Sequence, residues 1–559
     1  MTSNAALSLD KLSDEDVRAQ VQEAFHLSLC YWQIRAIRAV CLAQSSRRDV
    51  CLISATGSGK TITFLAPLLF APMGLMVIIT PLNLLGEQIA AQLKGFGISA
   101  VALSAATSTS KVFQDIRSMK YRVVVTNVEI AKRPRGEFDK LWRDRKWTSR
   151  LICIVWDEAH CVSKWADFRA EYKDAGRIRR MLPDHVPFYL VSATLPPAVL
   201  TDVYHNLGMR ASAVDVFHRS NDRPNIHLVV RRMLHPLGSF RDLDFIVTDN
   251  GRVPLKFVIF FDSIQESVDA VDYLRTRLRP EDRHRIKWFN SHMTTQFRDD
   301  EMDNLASGET WGLACTDSFG LGIDRVRNIE LAVQHRVRHV DICKLVQRYG
   351  RAMRSNLHTA TAVILAEAKY YDEEKAEREE KKRKRAADEV EKENKKRKVA
   401  VSDPDITSVK GAMGAAERVA MLEGRRAVYS AHGVHDAPKK KGRVEKDVPT
   451  IDPALDDMVN AAGRGFGCYR LPAQVFFGND KIAPRCPLNQ AAGNIPKRAA
   501  APVRNMHAVP VALEPVPESK AVHEPLSPVR QPQAVHASQS NHLFTTVPCH
   551  LFYARLRSS

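Results

Sequence analysis

The sequence lacks a disulfide framework. Its 10 cysteines are scattered, several inside apolar runs such as Leu151–Trp156, and this usage reads as a reducing compartment. A secretory leader is not expected either, because Met1 to Asp10 has no charged stretch followed by an apolar one. Nor is there an uninterrupted membrane span. Thr61 to Gly86 carries no charged side chain, but Pro67, Pro72, Gly74 and Pro81 break it, and a spanning helix needs about 20 continuous apolar residues. A buried helix followed by a buried strand is expected there instead. No repeat of solenoid length stands out. Acidic side chains are the minority, with 64 Asp and Glu against 82 Lys and Arg, giving a formal net charge of +18. That balance suits a polyanionic partner, for which nucleic acid is the usual choice. Part of the excess sits in basic runs beyond residue 366.

What is present is a repeated alternation of short apolar strands and helices, with 45% hydrophobic residues to fill the cores. Val50–Ser54, Met76–Thr80, Arg122–Thr126, Leu151–Trp156 and Phe188–Ser192 are apolar at nearly every position, as strands covered on both faces of a parallel sheet must be. A second set follows at Phe257–Phe261, Ile286–Phe289, Gly312–Thr316, Ile329–Gln334 and Thr361–Leu365. The break falls near Asp222-Arg223-Pro224-Asn225. The expected fold class is therefore α/β, with two tandem lobes over residues 1–220 and 221–366. Ser13, ahead of Asp14, Glu15 and Asp16, is the expected N-cap of the first helix. From Glu367 to about Val399 Glu and Lys/Arg dominate, either as a solvated helix or as an unstructured block, and residues 367–450 read together as a basic linker. Residues 451–499 regain apolar character, and residues 500–559 read as disordered.

Ser54-Ala55-Thr56-Gly57-Ser58-Gly59-Lys60-Thr61 follows a buried strand and opens a helix, the setting a phosphate-binding loop requires. Glycines let backbone N–H groups turn onto phosphates, Lys60 reaches the β and γ phosphates, and the Thr61 hydroxyl ligates Mg²⁺. Asp157-Glu158-Ala159-His160 ends the strand Leu151–Trp156. A carboxylate at that end of a parallel strand faces the ligand crevice, so Asp157 is assigned to Mg²⁺ and Glu158 to the attacking water.

The motif set resembles the RecQ family of superfamily 2 helicases over about residues 20–366. The Asp-Glu-Ala-His run continues through Trp165-Ala166-Asp167-Phe168-Arg169, similar to the family's aromatic-rich loop. Phe25 to Gln33 resembles the segment whose glutamine reads adenine, Thr80-Pro81-Leu82 motif Ia, and Ser192-Ala193-Thr194 motif III. Thr316 to Asp324 resembles motif V, with Gly322 and Asp324 facing the nucleotide. Gln347-Arg348-Tyr349-Gly350-Arg351-Ala352-Met353-Arg354 resembles motif VI. The resemblance implies two RecA-like lobes, ATP and Mg²⁺ as cofactors, and single-stranded and forked DNA as partners. It gives Gln347, Arg351 and Arg354 catalytic roles, the two arginines as fingers on the γ-phosphate. Trp165 and Phe168 would stack on bases, and Arg169 would add charge. The chain departs from the family in a shortened aromatic loop without its histidine, and in Arg348 and Met353, where an acid and a glycine are common.

The family's four-cysteine zinc module is only faintly present. Cys468 and Cys486 remain, but Asn489 stands where another cysteine is expected, and two thiolates do not close a tetrahedral site. Zinc is therefore not expected, and no winged helix is recognisable. Basic clusters at Lys381–Arg385, Lys395–Lys398 and Lys439–Lys441 read as nuclear import signals or as non-specific DNA contacts. The leading functional expectation is an ATP-dependent 3′→5′ DNA helicase acting in repair or recombination. The alternatives are a DNA-stimulated translocase without strand separation and a catalytically silent nucleic-acid scaffold.

Overall fold

The computed structural model describes residues 9, 11–166, 169–183, 186–319, 326, 328–353, 358–394, 414–431 and 451–482. Within these, two parallel sheets stand in tandem. The first joins β1 (Asp49–Ile53), β2 (Leu75–Ile79), β3 (Ala100–Ala102), β4 (Val123–Thr126), β5 (Leu151–Asp157), β6 (Phe188–Ser192) and β7 (Val214–His218) in the order β3-β4-β2-β5-β6-β1-β7. The second joins β8 (Ile226–Arg232), β9 (Phe257–Phe260), β10 (Ile286–Phe289), β11 (Gly312–Cys315), β12 (Leu331–His335) and β13 (Ala360–Ala366) in the order β10-β11-β9-β12-β13-β8. Each lobe is the RecA-like arrangement implied by the motifs. The first sheet sets β1, β6 and β5 side by side, so the segments after them share one edge, where parallel sheets bind ligands.

The local code is visible in the helices that frame these sheets. Helix α1 (Asp14–Phe25) begins with the expected capping box: Ser13 Oγ accepts from Asp16 N and the Asp16 carboxylate accepts from Ser13 N. Helix α2 (Tyr31–Ser46) carries Gln33, and α3 (Lys60–Leu65) opens at Lys60. The uncharged stretch after Thr61 is α3, a one-turn helix at Pro67–Phe70 and the buried β2. Among the described residues no helix is long and apolar enough to cross a membrane. The short α4 (Cys161–Lys164) follows the acidic motif, and α5 (Ile342–Tyr349) carries Gln347.

The core of the second lobe does not stop at residue 366. Helix α6 (Asp372–Asn394) takes the helical alternative for the charged block, with i,i+4 pairs at Glu377–Lys381 and Glu380–Lys384. Then α7 (Ala415–Ala431), α8 (Pro453–Val459) and α9 (Leu471–Phe477) return to the lobe. Tyr429, Leu455, Met458, Phe466, Leu471 and Phe477 are buried in the same cluster as Val258, Phe260 and Ile364. Asp457, fully buried, ties these helices together: it accepts from Arg425 Nε at 2.5 Å, Tyr429 OH at 2.5 Å and Arg464 Nη1 at 2.7 Å. Residues 415–431 and 451–482 thus extend the lobe, where the sequence reading had a linker and a zinc-module remnant. Cys468 packs half-buried at the edge of this cluster. Cys486, the basic clusters at 395–398 and 439–441, and residues 483–559 lie outside the described residues.

Candidate active site between the lobes

The phosphate loop turns through left-handed backbone at Gly57 (φ 74°) and Gly59 (φ 79°), conformations that glycine adopts without a Cβ penalty. A Cβ at Gly59 would also stand 2.8 Å from Gln33 Nε2. That amide donates to the Gly59 carbonyl at 3.0 Å, while Gln33 Oε1 accepts from Cys30 N at 2.7 Å. Gln33, assigned to adenine by resemblance, is therefore anchored to the phosphate loop. Ser54 Oγ donates to Ser58 Oγ at 2.9 Å, and Lys60 Nζ donates to the Ala55 carbonyl at 3.0 Å. Thr61 stands half-buried one residue into α3.

Asp157 and Glu158 meet this loop from the end of β5. Glu158 has φ 49°, a conformation uncommon for a side-chain-bearing residue and of the kind stored at functional sites. Burial, then repulsion from Glu158, lifts the Asp157 carboxyl well above the usual carboxylate range. Burial works in the same direction on Glu158, but His160, Lys60 and Arg351 overcome it and hold that carboxyl below the usual carboxylate range. Two acids pressed together at a buried edge suit a divalent cation, which supports Asp157 and Thr61 as its holders. Glu158 Oε2 lies 3.3 Å from His160 Nδ1 without hydrogen-bond geometry and has no other described partner.

His160 is the hub that the sequence reading left without a role. Its Nδ1 is 2.8 Å from Ser192 Oγ and its Nε2 is 3.0 Å from Gln347 Nε2. Gln347 also donates to Thr194 Oγ1 at 3.0 Å. Motif II, motif III and the second lobe are thereby joined through one imidazole. No periodicity in the sequence could have found a link between residues 160, 192 and 347.

The second lobe closes the site. Thr56 Oγ1 donates to the Gly350 carbonyl at 3.2 Å. Arg351 is 7% exposed and its Nε lacks a described partner. Burial lowers its proton affinity, against the attraction of Glu158. Arg348, the departure from the family pattern, is a packing residue: it donates to Asp317 and Asp262 at 2.7 and 2.8 Å and to Gln334 Oε1 at 2.8 Å. Lys164 Nζ, on α4, reaches Asp341 Oδ2, the N-cap residue of α5, at 2.8 Å. Arg354, Gly322 and Asp324 lie outside the described residues.

The aromatic loop lies directly beyond α4. Trp165 packs half-buried, edge to face with Tyr172 at 6.0 Å between ring centroids, under the Arg169 guanidinium at 5.0 Å. Arg169 Nη1 donates to the Pro81 carbonyl of motif Ia at 2.9 Å, and Nη2 pairs with Glu129 at 3.2 Å. This arginine joins the loop to motif Ia and has intramolecular partners of its own. Phe168 lies outside the described residues.

Comparison with known proteins agrees with this geometry. Residues 31–203 match the DEAD/DEAH box helicase model and residues 241–356 the helicase conserved C-terminal domain, together just over half of the chain. A putative ATP-dependent DNA helicase Q1 of Caenorhabditis elegans is 26% identical over 366 residues, covering 63% of this chain and 54% of that protein. The ATP-dependent DNA helicase RecQ of Haemophilus influenzae is 26% identical over 330 residues, 58% of this chain and 49% of that one. The chain carries the paired domains of a DEAD/DEAH box helicase, and these relatives are RecQ-type helicases. The chain also matches the bifunctional 3′-5′ exonuclease/ATP-dependent helicase WRN of Mus musculus, 26% identical over 58% of this chain and 22% of that protein. It spans about half the length of the first two of these relatives. Among solved structures, the DUF1998 helicase MrfA bound to DNA shares the fold, with a TM-score of 0.50 at 17% identity over 63% of this chain and 51% of that one.

Proposed function

We propose that the protein is an ATP-dependent DNA helicase of RecQ type, moving 3′→5′ and acting in repair or recombination in the nucleus. The observation that carries the reading is the convergence, between two RecA-like lobes, of Lys60, Asp157 and Glu158 with Gln347 and Arg351. Lys60 would grip the β and γ phosphates, and Thr61 and Asp157 would hold Mg²⁺, which would supply neutralisation of phosphate charge. A carboxyl held as low as Glu158 is ionised at neutral pH and orients the attacking water as an acceptor. Arg351, and Arg354 by resemblance, stabilise the charge that develops on the γ-phosphate. The names of the relatives support DNA as the polymer. Lys381–Arg385 on α6, with the two later basic clusters, supports nuclear import.

A second reading, translocation on DNA without strand separation, is favoured by one observation. The described helices after the second sheet fold into its core instead of standing out as a wedge. ATP turnover with and without single-stranded DNA, followed by unwinding of a forked duplex with a 3′ tail, tests both. DNA-stimulated turnover with unwinding supports the helicase. Stimulated turnover without unwinding supports the translocase. No turnover in the presence of Mg²⁺ refutes both.

A further inference from the structure

The segment between the lobes does more than connect them. Arg223 precedes Pro224, which restricts it to extended backbone, and its side chain is 5% exposed. Among the described residues no carboxylate receives its guanidinium in a hydrogen bond: the Asp222 carboxylate is taken by Arg470 Nη1 at 2.5 Å and by the Arg223 backbone N–H at 2.9 Å. The guanidinium instead faces main-chain carbonyls from both lobes. Nη1 donates to Thr56 O at 3.1 Å and to Gly350 O at 3.2 Å. Nη2 donates to Ala352 O at 3.3 Å and to Met353 O. Nε donates to Asn225 Oδ1 at 3.2 Å, and Asn225 Nδ2 in turn donates to Met353 O at 3.2 Å.

Three of these carbonyls lie just past the end of a helix. Helix α5 finishes at Tyr349, and the carbonyls of residues 350, 352 and 353 beyond it have no helical ladder to join, so a side-chain donor holds them. Residues 350 and 352 flank Arg351, and one planar fork holds the carbonyl on each side. The same fork holds the phosphate loop at Thr56. Residues 223, 56 and 351 therefore share one rigid object, whose planar donors hold a fixed relative geometry that a lysine ammonium cannot reproduce. Main-chain carbonyls also remain in place whatever side chains surround them, which makes the contact a ruler for the backbone.

We propose that Arg223 is a positioning residue for hydrolysis: it sets the distance between the phosphate loop and Arg351, so that the finger meets the γ-phosphate only when both lobes are seated on its guanidinium. The proposal rests on the ATPase reading above. It asks for geometry during turnover, not for affinity, because Arg223 touches backbone on both sides and needs no contact with the nucleotide.

The test compares wild type, R223K and R223A at saturating single-stranded DNA. Turnover and KM for ATP are measured together with the thermal midpoint and with added guanidinium chloride at low millimolar concentration. Misplacing a reacting group in this way costs about 10²-fold in kcat. Both variants should show that loss with KM within about threefold of wild type, and guanidinium should restore part of the turnover of R223A. The proposal is overturned if R223K keeps kcat within about twofold of wild type. It is equally overturned if kcat, ATP affinity and thermal midpoint fall together with no guanidinium rescue, since that is simple loss of structure. If wild type itself turns over no ATP, the ATPase reading fails by that result alone. Amide exchange over residues 348–353 then decides on the arginine: faster exchange in R223K supports the clamp, and unchanged exchange removes it.

Discussion

Leu455 offers a sharp test of how far the second lobe extends. Its side chain is 0% exposed, on α8, inside the cluster that contains Val258, Phe260 and Ile364. Leu455→Ala deletes three carbons, worth roughly 2.4 kcal/mol of transfer free energy at about 0.8 per carbon. A cavity term is added because the site cannot collapse easily. Asp452 caps α8 at its start, and Asp457 is held from three directions on the same helix. The total should be about 3–5 kcal/mol. Urea unfolding gives that total, and amide exchange locates it. If α7, α8 and α9 belong to the lobe, protection of Val333 in β12 and Ile364 in β13 falls with the substitution. Truncation after residue 366 should be worse still and give an aggregating protein, whereas truncation after residue 482 should keep the ATPase. Unchanged exchange in β12 and β13, with loss confined to residues 415–482, would refute the reasoning and make these helices a separate tethered unit.

Lys60→Ala should abolish ATP turnover, at a cost of roughly 3–5 kcal/mol in transition-state stabilisation, while single-stranded DNA binding by fluorescence anisotropy stays largely intact. Turnover above about a tenth of wild type would overturn the assignment of Lys60. Trp165→Ala should bring DNA-stimulated turnover down towards the basal rate, with a loss of about 1–3 kcal/mol in DNA binding if a base stacks there. Equal loss of basal and stimulated rates would make Trp165 a packing residue for Tyr172 and Arg169. Asp452 provides a pH-dependent case. Burial first, then the Asp341 carboxylate, raises it from 3.8 to about 6, with Lys164 opposing. A raised acid binds more protons folded than unfolded, so its ionisation costs stability as pH rises through that window. Asp452→Asn should therefore stabilise the protein at about pH 8 and lose that advantage as pH falls towards 4, read from thermal midpoints across the range. A gain independent of pH would remove Asp452 as the titrating group.

The central strands were legible because they are covered on both faces and carry apolar side chains at nearly every position. The strands that went unread are edges. β3 is three residues long, and β7 (Val-Asp-Val-Phe-His) and β8 (Ile-His-Leu-Val-Val-Arg-Arg) interleave polar side chains because one side faces solvent. Helix α7 was read as linker for a related reason. Its charge density is high, and only a narrow stripe through Met421, Leu422 and Tyr429 meets the core. The nucleotide side chains were legible one motif at a time, since phosphate loops and acidic strand ends obey local geometry. Their cross-links were not. His160 with Gln347, Lys164 with Asp341 and Arg223 with Thr56 each join residues more than a hundred positions apart. Such pairs are created by the tandem packing of two sheets, and a single sequence carries no local signal for them.

Gly350 has an ordinary right-handed backbone, so conformational freedom does not explain the absence of a side chain. Space does: a Cβ there would run into Thr56 Oγ1 and stand 2.8 Å from Val346 O. The lobes therefore shut to a depth set by one missing methyl group. Gly350→Ala would act as a doorstop, leaving each lobe able to fold while holding the cleft ajar. Such a protein gives a way to populate the open form of the cleft at will.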